Sequence, residues 1–134
     1  MGTRAFAIAL LLLAASASGL AQEPVTENQT MHFVGRKLLF SYESGLRVMG
    51  HYKSATELDW KALSGPSAGS SGSETIYAVE TSPKVFFISW VEEAGTTVSQ
   101  VLDFKTSRVR AFVTYRTAER RQGMLDKGTF AEEK

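Results

Sequence analysis

The sequence predicts an all-β domain, an antiparallel meander that closes into a barrel or folds as a sandwich. Short runs of alternating apolar and polar residues follow one another, and turn residues separate them. No long segment repeats its apolar residues with the 3.6-residue period of a helix. Because each run would bury one face, about seven strands with short connections are enough to enclose a core.

The first 21 residues have the pattern of a secretory signal peptide. Arg4 precedes an apolar run at residues 5–15, and the small-x-small site Gly-Leu-Ala ends at Ala21. We expect cleavage after Ala21 and a secreted or periplasmic mature protein that begins with a polar lead-in at residues 22–32. An uncleaved anchor is the alternative, but the apolar run is short for a bilayer span of roughly 20 residues.

Charge and cysteine content exclude several classes of partner and site. Cleavage removes Arg4 from the 15 Lys and Arg, and the remaining 14 equal the 14 Asp and Glu. The mature chain therefore gives no reason to expect nucleic acid or, after cleavage, a membrane as its partner. Because the chain has no cysteine, it has no disulfide framework, thiolate metal site or cysteine nucleophile.

Three alternating runs open the domain. Their apolar positions are Leu38, Phe40 and Tyr42, then Leu46, Val48, Gly50 and Tyr52, then Leu58, Trp60 and Ala62. Ser44 and Gly45 supply a tight hairpin turn between the first two runs. The third run is the cleanest, since one face is apolar and the other is charged.

Serine and glycine then dominate residues 64–73, which predicts a flexible loop. Strands are predicted again at residues 74–80, 85–92, 97–104 and 108–116. Gly123, Met124, Leu125 and Phe130 would form a short last strand that helps to close the barrel, and residues 131–134 would fray. The expected total is seven to eight strands.

Glu92 is the most informative single residue of this pattern. It shares the parity of Phe86, Ile88 and Trp90, and alternate side chains of a strand point to one face. A carboxylate on that face lies at the sheet rim, pairs with a donor or lines a wet cavity, because burying an unpaired charge is costly. The alternative is an ordinary strand-end glutamate in solvent, beside Glu93 and a turn.

If the sheet closes, its inward positions form an aromatic set with few polar groups. By parity these positions are Phe40, Tyr42, Val48, Tyr52, Trp60, Phe86, Trp90, Glu92, Val98, Gln100, Leu102, Val113 and Tyr115. A barrel of about eight strands either fills itself with side chains or holds one small ligand. We expect Phe40, Trp60, Phe86, Trp90, Gln100 and Tyr115 to contact such a ligand, with Tyr42 and Glu92 as its main polar contacts.

Other chemistry has little support. His32 and His51 are the only histidines, and their spacing predicts neither a pair nor a triad. We expect no metal site and no cofactor. The late arginines, from Arg108 to Arg121, are typical of a solvated barrel exterior because acidic residues lie near them.

Residues 33–42, Phe-Val-Gly-Arg-Lys-Leu-Leu-Phe-Ser-Tyr, with Ser-Trp-x-Glu at residues 89–92 and the Gly-Thr that follows, resemble two related groups. These are the bacterial phenolic acid decarboxylases and the MoaF-like proteins, both lipocalin-like (calycin) barrels. The resemblance implies an up-and-down calycin barrel over residues 33–130. The link of the MoaF-like name to molybdenum cofactor synthesis, a cytoplasmic pathway, does not suit an exported member.

The decarboxylase resemblance assigns two tyrosines, an arginine and a glutamate to the site that acts on a hydroxycinnamate. Tyr42 and Glu92 match, whereas Phe40 stands at the first tyrosine and the arginine's place falls near Ser70. Serine cannot supply a bidentate positive group for a carboxylate. The sequence thus disfavours hydroxycinnamate decarboxylase activity and favours the MoaF-like branch.

Three functions stay open at this point. The first is a secreted barrel that binds a small apolar or aromatic molecule. The second is a cofactor-free lyase or isomerase in which Glu92 is a general acid or base and Tyr42 orients the substrate. The third is a structural protein whose barrel is filled.

Overall fold

The computed structural model describes residues 31–134, and these fold into nine β-strands. The strands are β1 (Lys37–Tyr42), β2 (Arg47–Tyr52), β3 (Glu57–Ala62), β4 (Ser71–Thr75), β5 (Tyr77–Ser82), β6 (Val85–Val91), β7 (Thr97–Asp103), β8 (Arg108–Arg116) and β9 (Arg121–Glu133). None of the described residues forms a helix that could cross a membrane. The predicted signal peptide and residues 22–30 lie outside the described residues.

The strands form one antiparallel sheet in the order β4-β3-β2-β1-β9-β8-β7-β6-β5. Strands that follow one another in the chain pair with each other, except β4 and β5, and β1 also pairs with β9 over Lys37–Tyr42. The two ends of the sheet, β4 and β5, are joined by a single residue, Ile76, whose amide donates to the Thr56 carbonyl at 2.9 Å. The sheet is therefore a nearly closed barrel, which confirms the predicted barrel class.

The ninth strand arises because the predicted run at residues 74–80 is divided. Ile76 is 1% exposed and interrupts the run, so β4 pairs with β3 while β5 pairs with β6. β4 also begins at Ser71, inside the segment predicted to be a flexible loop. The serines and glycine of residues 70–73 suggest a loop by composition, yet backbone pairing with β3 holds residues 71–73 in the sheet.

The end of the chain also differs from expectation. β9 is 13 residues long and extends to Glu133, so it is not a short strand. Ala131, Glu132 and Glu133 pair with Leu39, Leu38 and Lys37. The prediction of a frayed tail at residues 131–134 is wrong for all but Lys134, because β1 supplies a complete hydrogen-bonding partner for this segment.

Antiparallel connectivity gives the barrel two distinct ends. Connections 43–46, 63–70, 92–96 and 117–120 lie at one end, which we call the mouth, and connections 53–56, 83–84 and 104–107 lie at the other, the base. Gly45 and Gly95 take positive φ values of 93° and 87° in two of the mouth turns, a conformation that glycine adopts without strain.

The base is closed by aromatic side chains. Phe33, which precedes β1, is fully buried and packs edge-to-face on Tyr52 and on Phe86, with ring centroids 5.4 and 5.2 Å apart. Phe104 packs edge-to-face on Phe86 and Phe130 in the same layer. Such pairs add to the stabilisation from apolar burial, so the lower half of the barrel is a filled core.

Candidate functional site

The upper half of the barrel holds a cavity of about 370 Å³ that reaches the mouth. Its aromatic walls are Phe40, Tyr42, Tyr52, Trp60 and Trp90, and its aliphatic walls include Leu46, Val48, Leu58, Val98, Val113 and Met124. Polar side chains in the lining are Ser67, Ser70, Glu92, Thr96, Gln100 and Asp126. A concave apolar site with a few polar groups is typical of small-molecule binding sites.

Strand alternation places the walls, and one glycine makes room for them. Gly50 on β2 is buried beside two rings, and a side chain there would begin 3.2 Å from Phe40 and 3.4 Å from Tyr52. Phe40 and Tyr42 stack with centroids 6.1 Å apart and planes 20° apart. A larger residue at Gly50 would displace this aromatic wall.

Gln100 connects two tyrosines at the floor of the cavity. The Tyr52 hydroxyl donates to Gln100 Oε1 at 2.7 Å, and Gln100 Nε2 donates to the Tyr42 hydroxyl at 3.2 Å. The Tyr42 hydroxyl accepts the hydrogen bond from Gln100, so its own proton is free to be donated to a ligand. Tyr42 is thus oriented as a hydrogen-bond donor.

Both tyrosines are held neutral. Burial, opposed by the Gln100 hydrogen bond and reinforced by the charge of Asp126, raises the pKa of Tyr42 to about 12. Burial also raises the pKa of Tyr52 well above its ordinary value. Neither phenol is suited to act as a base at neutral pH.

Glu92 lies at the mouth, in the first position after β6. Its backbone closes the hairpin, since its amide donates to the Thr96 carbonyl at 2.7 Å. The side chain is half-buried, lines the cavity and accepts a long hydrogen bond from Trp90 Nε1 at 3.4 Å. Burial and the nearby charge of Glu74 raise the pKa of Glu92 against the lowering effect of the Trp90 bond.

Asp126 is a second cavity carboxylate, and the sequence interpretation missed it. It is 9% exposed, and its oxygens accept from the Ser44 hydroxyl at 2.5 Å and from the Lys127 amide at 2.9 Å. Asp126 shares the parity of Met124 and Phe130, so extending the alternation along a longer last strand would have identified it.

Six of the eight predicted site residues line the cavity, namely Phe40, Tyr42, Trp60, Trp90, Glu92 and Gln100. Phe86 and Tyr115 do not. Phe86 is buried in the aromatic layer at the base, and Tyr115 is 38% exposed near the mouth end of β8. Parity predicts the face of the sheet correctly but gives no height along the barrel, so it does not separate these two residues from those that line the cavity.

Phe40 and Ser70, at or near the positions where the decarboxylase resemblance assigns a tyrosine and an arginine, also line the cavity. Phe40 presents an apolar ring, and Ser70 presents a hydroxyl that donates to the Ser67 carbonyl at 2.5 Å. Within residues 31–134 there is no group of three or more His, Asp or Glu side chains placed to hold a metal ion.

Three comparisons relate this chain to known proteins. The family model described as MoaF-like matches residues 34–129. A "probable phenolic acid decarboxylase" of Vibrio cholerae is 27% identical over 79 residues, which cover 58% of this chain and 45% of that protein. The chain therefore aligns with less than half of the length of this relative.

A solved structure shares the fold. The crystal structure described as "a putative beta-lactamase" from Burkholderia vietnamiensis superposes with a TM-score of 0.71 and 21% identity, covering 79% of this chain and 100% of that one. At this identity the likeness concerns the fold alone. Since the family model spans most of the described domain, the chain belongs to the MoaF-like family of calycin barrels.

Proposed function

We propose that this chain is an exported barrel that binds one small molecule with an apolar or aromatic body in its upper cavity. The observation that carries the proposal is the cavity itself, about 370 Å³ with five aromatic side chains and few polar groups in its lining. Tyr42 would donate a hydrogen bond to the ligand, and Glu92 would meet it at the mouth. Export is supported by the leader at residues 1–21.

The chain carries its own reporter for a binding test. Its two tryptophans, Trp60 and Trp90, both line the cavity. N-phenyl-1-naphthylamine, a neutral aromatic probe, should quench their fluorescence saturably as it accepts their excitation energy. No saturable quenching at the solubility limit of the probe would contradict the proposal.

A matched pair of variants tests whether the probe occupies the cavity. Val113 lines the cavity, while Val101 on the neighbouring strand is 39% exposed on the outer face. Val113→Phe should weaken probe binding about tenfold by filling the cavity, and Val101→Phe should leave it unchanged. Equal probe affinity in both variants would place the binding site elsewhere.

Native mass spectrometry of the protein purified from its own host tests both the identity of the ligand and the cleavage of the leader. A discrete added mass would give the class of the natural ligand. A polypeptide mass that matches a chain beginning at Gln22 would support cleavage after Ala21, whereas a mass that includes residues 1–21 would contradict it.

A second candidate function, a cofactor-free lyase or isomerase, is favoured by the half-buried position of Glu92 and by the direction of its pKa shift. A carboxyl group of raised pKa is suited to general acid or base chemistry. If the protein is an enzyme, Glu92→Gln should abolish turnover of the substrate found by mass spectrometry while binding is largely kept. Unchanged turnover would exclude this role for Glu92.

A further inference from the structure

The charged side chains that line the cavity all have one sign. Glu92 and Asp126 belong to the lining, and the lining contains no Lys, Arg or His. Glu74 adds a third carboxylate, close enough to Glu92 to raise its pKa. Arg121 lies at the rim, where its guanidinium donates to the Gly95 carbonyl at 2.6 and 3.2 Å instead of pairing with an acid.

Ion pairs do not neutralise these carboxylates. Within residues 31–134 the ion pairs are Arg36–Glu132, Lys53–Glu57, Lys53–Asp59 and Lys127–Glu43. Lys127 follows Asp126 in sequence but lies on the opposite face of β9, where it pairs with Glu43. Glu74, Glu92 and Asp126 are therefore in none of these ion pairs.

The donors that reach the carboxylates are neutral. Asp126 accepts from the Ser44 hydroxyl and a backbone amide, while Glu92 and Glu74 accept from indole N–H groups. Trp90 Nε1 is 3.4 Å from Glu92, and Trp60 Nε1 is 3.1 Å from Glu74. Neutral donors orient a carboxylate but leave its charge to be balanced by something else.

Aromatic faces supply the other half of a cation site. The Trp60 and Trp90 indoles direct their N–H edges to carboxylates, and both line the cavity with the stacked pair Phe40 and Tyr42. The face of an aromatic ring attracts a cation, and cages of such rings bind quaternary ammonium groups. Rings and carboxylates together match a ligand that is apolar in body and positive at one end.

We propose that this cavity selects an organic cation, an ammonium group carried on an aromatic or alkyl body, over neutral and anionic molecules of the same size. The inference rests on the proposed binding function and adds the charge of the ligand to it. An anionic ligand would meet the Glu92 and Asp126 charges with no basic side chain in the lining to pair with it.

Three probes of nearly equal size separate charge from shape. They are phenethyltrimethylammonium, the neutral dimethyl phenethyl carbinol and the anion hydrocinnamate, each titrated against tryptophan fluorescence and by calorimetry. The cation should bind about tenfold more tightly than the carbinol, and hydrocinnamate should bind most weakly. Equal or tighter binding of the carbinol or the anion would overturn the charge preference while leaving the binding function intact.

Variants assign the preference to the carboxylates. Glu92→Gln should weaken cation binding about three- to tenfold and leave carbinol binding unchanged, and Asp126→Asn should act in the same direction. Glu93→Gln is the matched control, since Glu93 is the exposed neighbour of Glu92 and lies outside the lining. Glu92→Gln carries the test alone if loss of the Ser44 contact unfolds Asp126→Asn.

The remaining outcomes are also decisive. If Glu92→Gln weakens cation and carbinol binding equally, the side chain shapes the cavity and its charge does not select the ligand. If N-phenyl-1-naphthylamine binds but none of the three probes does, the cation inference fails alone. If neither that probe nor any of the three binds, the proposed function fails with it.

Discussion

At the scale of single residues, Gln100 is the polar group on which the interior depends most. It is 5% exposed, and its amide serves both the Tyr52 and the Tyr42 hydroxyls. Gln100→Leu would leave the fully buried Tyr52 hydroxyl without its acceptor, so we expect a loss of about 2 kcal/mol in the free energy of unfolding. Urea denaturation measures this loss, and Gln122→Leu on β9 should change stability by less than about 0.5 kcal/mol.

Glu92 makes stability depend on pH in a defined direction. Its folded-state pKa lies above the ordinary value of 4.5, so the folded state holds the proton more tightly than the unfolded state. The resulting stabilisation is present below the unfolded pKa and is lost as pH rises through the folded pKa. Glu92→Gln should therefore be more stable than wild type at pH 7, by less than about 1 kcal/mol because the group is half-exposed.

Urea denaturation of both proteins across the acid range checks this expectation. The gain from Glu92→Gln should shrink as pH falls toward the unfolded pKa. A gain that persists unchanged in acid would show that the carboxylate charge is not its cause.

The residues of the site were predictable to the extent that alternation decides them. Phe40, Trp90, Glu92 and Gln100 face inward as their parity requires. Phe86 also faces inward, but it lies near the base end of β6. There it packs against Phe33, which precedes the first strand, and does not line the cavity. The hydrogen bonds of Gln100 depend on strands far apart in sequence, so no local pattern could predict them.

At the scale of elements, the strands with clear alternation were located well and those near the closure were not. β3 and β7 begin and end within about one residue of their predicted limits. β4 and β9 differ most, because pairing partners and not their own side chains hold Ser71, Gly72 and Ala131 in the sheet. The alternation of apolar and polar residues reports which side chains are buried, and these three residues bury little side-chain surface.

Gly128 shows how closely β9 approaches β1. A side chain at this position would overlap the Ser41 carbonyl oxygen, and backbone cannot move aside as a flexible side chain can. Gly128→Ala should therefore destabilise the protein by about 2 kcal/mol or more, as overpacking does, measured by thermal or urea unfolding.

Gly123 on the same strand provides the matched control. Its added carbon would lie 2.8 Å from the tip of the Phe112 ring, which is 47% exposed and able to turn away. Gly123→Ala should be neutral or slightly stabilising. Equal losses in both variants would show that the strand position alone, and not the contact with Ser41, governs the effect.

At the scale of the whole molecule, the described barrel has one seam without a backbone ladder, where β4 lies beside β6. Amides that face the seam lack the cross-strand partners that protect those of β7 and β8. Hydrogen exchange should be at least about tenfold faster at alternate amides of β4 and β5 than in β7. Uniform protection around the barrel would contradict an open seam.

Because one end of the barrel is open and the other is closed, the rates of ligand entry and exit are linked. Because aromatic packing around Phe33 closes the base, a ligand that binds above it must enter and leave through the mouth. A bulkier residue at Ala68, in the mouth connection 63–70 but outside the lining, would slow ligand entry and exit by the same factor if it narrows only the path. The equilibrium would then stay where it was, and the time that each molecule remains inside would lengthen.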